Sequence, residues 1–458
     1  MPPSRPHTCC AEHTRAEFAR RTIAEAGKGL PTIEAGMPTP AGTGLSRRSF
    51  LLRAGGVALS VYGASMLKPQ AFAEGIAEAA TGDGRVLLSV FVGGGWDSLS
   101  LLAPVLDPTY LQLRPGLKVE PGAGPTWTED PRLQWHPSAA PLHKLHSEGK
   151  VTVMPSIGYA GADQSHFTSR HYWEVGETNV RTNTGWLGRM LDLVGTPDNP
   201  MQGLSLDGSL APSLATAKNP VAATWETEYD LWAPGVWGDV ENLMFGAFDR
   251  IGAGAVRGGD AGMAASGNVM RQANTLRNQL GSFPDEVSSP VAYPNDRHFA
   301  SSLKGFAAML AAGLPIKVAS VDAPGDYDTH DDQQADFARN VKETCDGLLA
   351  FQRDLEARGL ADRVLTLVWS EFGRRPEENG SAGTDHGAGG SAFLIGNGVR
   401  GQMVGEWPGL KSLDEDENLR STADYRGMYC SLLEGWFGVD AGAIIPGASN
   451  FARPALLG

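Results

Sequence analysis

Cysteine is scarce: the 458 residues hold four, and two of these are the adjacent Cys9 and Cys10 near the start. Cys345 and Cys430 each fall among apolar residues of a predicted helix, so they read as two buried thiols and not as a disulfide. Basic residues are also few where a fold would be. Nine of the 38 Lys and Arg but only four of the 52 Asp and Glu lie within the first 73 residues, so the remainder is more acidic than the formal charge of -14 suggests. Such a balance excludes nucleic acid and anionic lipid as partners, because both are held by basic patches. No apolar run reaches the roughly 18 residues of a membrane-spanning helix, so no stable span is expected in the mature chain. No internal repeat is present.

What the N-terminus does contain is a targeting pattern. Ser46-Arg47-Arg48-Ser49-Phe50-Leu51 is followed by the mildly apolar "AGGVALSVYGASML" and then by Ala71-Phe72-Ala73, a small-residue cleavage site. Residues 1–73 are therefore expected to be a twin-arginine signal peptide with a long leader, which makes the twin-arginine translocation machinery a partner and the periplasm or the outside the destination. No cysteine follows the expected cut, so no lipid anchor is expected there. That route carries folded proteins, and it suits a chain that must acquire a metal first.

With 41% hydrophobic and 20% charged residues, the chain is globular in composition and long enough to bury a sizeable core. Nearly continuous apolar runs at 85–92, 150–156, 315–323, 363–370 and 392–396 read as buried parallel strands. Helical patterns separate them. The clearest places Phe337, Val341, Cys345, Leu348, Gln352 and Leu355 at three- or four-residue steps, with Asp331 and Gln334 shaped as a capping pair. The alternation predicts a three-layer α/β sandwich around a mainly parallel central sheet, over residues 74–458. A loop-rich insertion is expected at about 197–267, where Pro, Gly, Thr and Trp accumulate.

In such sheets ligands gather beyond the carboxyl ends of the strands. Asp97 follows the first run in "GGGWDSLS", and "GDYDTH" follows the third, with Asp326, Asp328 and His330. Glu371 ends the fourth, and "GTDHGAGG" supplies Asp385 and His386 shortly after. Several carboxylates meeting at one edge must raise their pKa values or be neutralised by a cation. A mixed carboxylate and imidazole set suits Zn²⁺ or Mn²⁺, with Mg²⁺ or Ca²⁺ open if the histidines stay out of the first shell. An extended GDYDTH would put Asp326, Asp328 and His330 on one face. Asp331 and Asp332 read as first-turn acids of the next helix.

Ser165 would open a helix running through Trp173. It is either an N-cap or a nucleophile at a positive helix end, with His166 beside it as a ligand or acid/base group. A separate feature is "WETEYDLWAPGVW", where Trp225, Trp232, Trp237 and Tyr229 with Glu226, Glu228 and Asp230 could stack and bind sugar rings, or simply pack the insertion.

Taken together, the twin-arginine leader, "GGGWDSLSLLAP", "QSHFTSRHYW", "GDYDTH" and "SEFGRR…NGSAGTDHGAGGSAFLIG" resemble the bacterial exported domain-of-unknown-function family numbered fifteen-oh-one. The resemblance spans nearly the whole mature chain. It implies an alkaline phosphatase-like and sulfatase-like fold and a divalent metal. It also implies Asp97 as first-strand ligand, Ser165 as nucleophile, Asp326 or Asp328 with His330 as the mid-chain pair, and His386 as the final ligand. The superfamily's Asp-His dipeptide falls on Glu371-Phe372, where a phenyl ring cannot ligate, unless Asp385 or His166 substitutes. The Cys/Ser-x-Pro-x-Arg setting of sulfatases lacks its proline at Ser165, which argues against formylglycine chemistry. The implied activity is metal-dependent hydrolysis of a phosphate or sulfate ester, small or polymeric. The alternative is a non-catalytic envelope protein binding carbohydrate or polymer on the same fold.

Overall fold

A computed structural model describes residues 84–196, 199–224, 238–258, 288–295 and 298–458, the backbone of 59–62, and isolated helical positions between 263 and 277. The twin-arginine motif, the expected cleavage site and the aromatic cluster from Trp225 to Trp237 lie outside the described residues.

The strand Val86–Phe91 shows how the sequence builds the layers. All six side chains are buried, so no polar face is needed, and successive residues serve opposite sides of the sheet. Val86, Leu88 and Val90 join one buried cluster with Leu142, Phe299, Leu303, Phe337, Val341 and Leu348, drawn from the helices Ala140–Ser147, Phe299–Ala311 and Gln333–Ala357. Leu87 and Phe91 join the other with Trp173, Trp186, Leu187, Tyr425 and Met428, from His166–Val175, Trp186–Val194 and Tyr425–Ser431. The result is the expected three-layer α/β sandwich, and Cys345 and Cys430 are buried and free.

Among the described residues a nine-stranded sheet runs in the order Leu59–Tyr62, Val221–Thr224, Gly203–Ser205, Val318–Asp322, Val86–Phe91, Val364–Trp369, Gly390–Ile395, Val151–Gly158, Ala423–Asp424. Its centre is parallel: Phe91 pairs with Asp322 on one side and with Trp369 on the other. Gly390–Ile395, expected to be parallel, is antiparallel to both neighbours. The reason is the connection before it. A hairpin of Arg374–Glu378 and Thr384–His386 turns the chain back with no crossover helix, and a parallel return would need one. The stretch expected to be irregular contributes Gly203–Ser205 and Val221–Thr224 to the sheet and the helix Asp239–Gly258. Leu59–Tyr62 lies antiparallel on Val221–Thr224 at the edge.

The helix Gln333–Ala357 starts one residue later than the expected capping pair would place it. Asp332 is its N-cap, at φ 42° and without a side-chain cap bond. The N–H groups of Asp332 and Gln333 instead donate to the carbonyls of Ser381 and Ala382, at 3.0 Å each. This anchors the tip of the hairpin over the GDYDTH segment, and so sets Thr384–His386 beside it.

Candidate metal centre

Four side chains from three segments meet at the carboxyl end of the central strands. His166 is the first residue of His166–Val175, Asp328 and His330 follow Val318–Asp322, and His386 ends the second hairpin strand. Oδ1 of Asp328 lies 3.0 Å from Nε2 of His330 and 3.1 Å from Nε2 of His386, and its Oδ2 lies 3.3 Å from Nε2 of His166. The imidazoles also meet each other: Nε2 of His386 is 3.0 Å from Nε2 of His166 and 3.0 Å from Nε2 of His330.

The far nitrogen of every ring is held by an acceptor. Nδ1 of His166 lies 2.8 Å from Oε1 of Glu371, Nδ1 of His330 lies 3.2 Å from Oδ1 of Asp385, and Nδ1 of His386 lies 2.8 Å from the carbonyl of Gln164. A carboxylate or a carbonyl can only accept, so each neutral ring carries its proton at Nδ1 and turns its lone pair inward. The three Nε2 atoms then face the Asp328 carboxylate, which also accepts from Nη2 of Arg374 at 2.6 Å, and Nη1 of Arg374 lies 3.5 Å from Nε2 of His330. A divalent cation between His166, Asp328 and His386 would satisfy these groups at once, with His330 as a further donor 3.0 Å from Nε2 of His386. Two nitrogens bound tetrahedrally to one cation, each at about 2.1 Å, would be about 3.4 Å apart, so the observed 3.0 Å separations are somewhat closer than those of a loaded zinc site. The ligand atoms of His166, Asp328 and His386 lie within 4.8 Å of one another.

Burial raises the pKa of Asp328; a proton carried on Nε2 of His166, His330 or His386 and donated to the carboxylate, together with the charge of Arg374, lowers it, and the net lies far below the usual carboxylate range. Burial likewise opposes ionisation of Glu371, and His166 with the Gly94 N–H outweighs it and lowers the pKa. The side chains of His166, His330 and His386 remain 16%, 17% and 12% exposed, so the cluster opens to solvent.

The other expected site residues are placed differently. Asp97 lies outside the cluster: it is salt-bridged to Arg114, accepts from Gln333 Nε2 at 2.7 Å and from Ser100 Oγ at 2.6 Å, and caps Ser98–Leu101. Asp326 turns to its own backbone, accepting the Asp328 N–H at 2.9 Å, because the segment is a tight turn and not extended. Ser165 is the N-cap of its helix and accepts the Thr168 N–H at 3.5 Å. Asp385 is the partner of His330 and is itself 38% exposed. Phe372 packs its ring 4.9 Å from that of His166 and 4.8 Å from that of His386, forming an apolar wall behind both.

The meaning of "GGGWD" thereby shifts from its aspartate to its glycines. Gly94 sits at φ 109°, and a Cβ there would lie 2.3 Å from the nitrogen of Asp328; one on Gly95, at φ 71°, would lie 2.4 Å from the Phe372 ring. Only glycine allows that turn to press against the site. Its reward is a 2.9 Å hydrogen bond from the Gly94 N–H to Oε1 of Glu371, the same oxygen that holds His166. Arg374 was not singled out by its motif; the signal available was a second charge three residues after Glu371 at the end of a buried strand.

Residues 271–425 match the model of a family described as "Protein of unknown function (DUF1501)", the family that the motifs resemble. The match contains Asp328, His330, Glu371, Asp385 and His386, and leaves out Asp97, Ser165 and His166. No curated protein matches the chain. Among solved structures, a protein in the alkaline phosphatase superfamily from Vibrio parahaemolyticus is similar at 11% identity and a TM-score of 0.32, over 85% of this chain and 78% of that one. The PsFucS1 sulfatase from Pseudoalteromonas sp. is similar at 13% identity and a TM-score of 0.34, over 82% of this chain and 72% of that one. Ps i-CgsB in complex with k-i-k-neocarrahexaose is similar at 9% identity and a TM-score of 0.33, over 81% and 75%. At such scores these similarities carry no conclusion about activity.

Proposed function

We propose that this is an exported, metal-dependent hydrolase of a phosphate or sulfate ester, with a single divalent cation held by His166, Asp328, His330 and His386. The observation that carries the reading is the convergence of three imidazole Nε2 atoms on the Asp328 carboxylate, each ring fixed from behind by an acceptor. Three imidazoles and one carboxylate favour Zn²⁺ or Mn²⁺ over Mg²⁺ or Ca²⁺, which prefer oxygen. Phe372 offers no donor, and Asp97 lies outside the cluster with its oxygens engaged by Arg114, Ser100 and Gln333, which supports one cation instead of two.

A bound cation would act as a Lewis acid and neutralise charge on an ester oxygen. The protein's own residues would do the rest. Glu371, Asp385 and the Gln164 carbonyl fix the ring orientations and make each Nε2 a better donor. Ser165 serves its helix as a cap, so water is the favoured attacking group, with the Ser165 hydroxyl as the alternative. The partly exposed imidazole edges leave an approach for substrate.

The reading is tested by loading the protein with Zn²⁺ or Mn²⁺ and screening phosphate and sulfate esters. Turnover that disappears on chelation and returns on re-addition supports it. A loaded protein inert to the whole panel would favour a non-catalytic, metal-holding envelope protein on the same fold.

A further inference from the structure

Arg374 is fully buried, and all three of its guanidinium nitrogens are engaged. Nε donates to the Gly95 carbonyl at 2.8 Å, and Nη1 donates to the Thr384 carbonyl at 2.8 Å. Nη2 donates to the Tyr327 carbonyl at 3.1 Å, to Oδ1 of Asp328 at 2.6 Å and to the Gly94 carbonyl. These acceptors belong to three segments: the glycine turn after Val86–Phe91, the turn after Val318–Asp322, and the second hairpin strand. Arg374 itself lies on the first hairpin strand, opposite His386 in register.

A purely structural arginine could satisfy its donors on any carbonyls. This one spends them on the backbone immediately beside the candidate ligands, and on Asp328 itself. The Gly94 peptide is gripped from both ends, its carbonyl by Arg374 and its N–H by Glu371, so the grip passes to His166 through the Glu371 carboxylate. The guanidinium also gives Asp328 a counter-charge that does not depend on a cation, which a buried carboxylate needs to remain folded in place.

We propose that Arg374 is a positioning residue that assembles the cation site before any cation arrives, by clamping the two segments that carry Asp328, His330 and His386 and, through Gly94 and Glu371, orienting the ring of His166. The proposal rests on the metal-centre reading for what is assembled, but the clamp is measurable without metal. Its planar, five-donor geometry is the requirement, and an ammonium on a flexible stem does not supply it.

The test is hydrogen exchange of the segments 92–96, 326–330 and 384–386 in metal-free and Zn²⁺-loaded wild-type protein. Protection already present in the metal-free protein and little changed by loading is the expected result; protection that develops only on loading overturns the proposal. Alongside it, Arg374→Lys and Arg374→Ala are titrated with Co²⁺, following the d–d absorption bands. Affinity is expected to fall about ten- to a hundred-fold, with altered bands, and added guanidine should restore both in Arg374→Ala. A folded Arg374→Ala with wild-type affinity and bands contradicts the clamp. If the variants do not fold, the wild-type exchange experiment decides alone. Wild-type protein that binds no Zn²⁺ or Co²⁺ refutes the metal centre, while metal-free exchange still judges the clamp.

Discussion

Nε2 of His166 and Nε2 of His386 lie 3.0 Å apart, with their other nitrogens fixed on Glu371 and on the Gln164 carbonyl. The two residues are 220 positions apart in sequence and arrive from a helix start and a hairpin strand. Their rings are brought edge to face, at 84°, with Phe372 behind both. This contact lies at the centre of the proposed cation site.

Glu371→Gln tests the outer support. The amide keeps the shape but loses the charge that strengthens its bond to Nδ1 of His166. Zn²⁺ affinity is expected to drop about ten- to a hundred-fold, with stoichiometry kept at saturating metal, as read by competition with a chromophoric chelator.

Asp97→Asn separates structure from ligation. Burial raises the carboxyl's pKa, but Arg114 with Ser100 and Gln333 lowers it further than burial raises it. The folded pKa therefore lies below the ordinary 3.8. The stabilisation is complete above that value and is lost as pH falls through the folded pKa, so the pair contributes to acid unfolding only below about pH 3.8. Breaking a buried pair costs about 3–5 kcal/mol. Thermal melts at neutral pH should show the loss, while bound metal per folded chain stays unchanged; loss of metal from folded Asp97→Asn would restore Asp97 as a ligand.

Ser165→Ala distinguishes the two attacking groups. Removing the cap should cost about 1 kcal/mol in stability, and if water attacks, most of the ester turnover survives. Complete loss of turnover in a folded, metal-loaded variant would assign the attack to the Ser165 hydroxyl.

Gly94→Ala probes the turn from the other side. The added methyl meets the Asp328 nitrogen at 2.3 Å on a backbone at φ 109°. Destabilisation of about 1–3 kcal/mol from the conformation alone is expected, with weakened metal binding; unchanged melting and affinity would show that the turn relaxes freely.

Much of this was legible in the chain, and the gaps have physical causes. Near-continuous apolar runs marked the central strands because those strands are buried on both faces. The direction of Gly390–Ile395 was hidden, since periodicity records burial and not polarity along the sheet. Asp328, His330 and His386 stood out as acids and imidazoles after strands. Asp97 looked equivalent, and only the fold reveals that Arg114 reaches it from the end of a short helix. Arg374 was obscured because its partners are mostly backbone carbonyls, which every sequence contains. The aromatic stretch from Trp225 to Trp237 stays an expectation, outside the described residues.

The most direct test of the central claim is elemental analysis of protein folded in the cytoplasm, beside the His386→Ala and Asp328→Ala variants. One equivalent of Zn or Mn per wild-type chain is predicted, with none retained after gel filtration by folded variants. A wild-type chain that holds no metal, or folded variants that keep a full equivalent, would contradict the account.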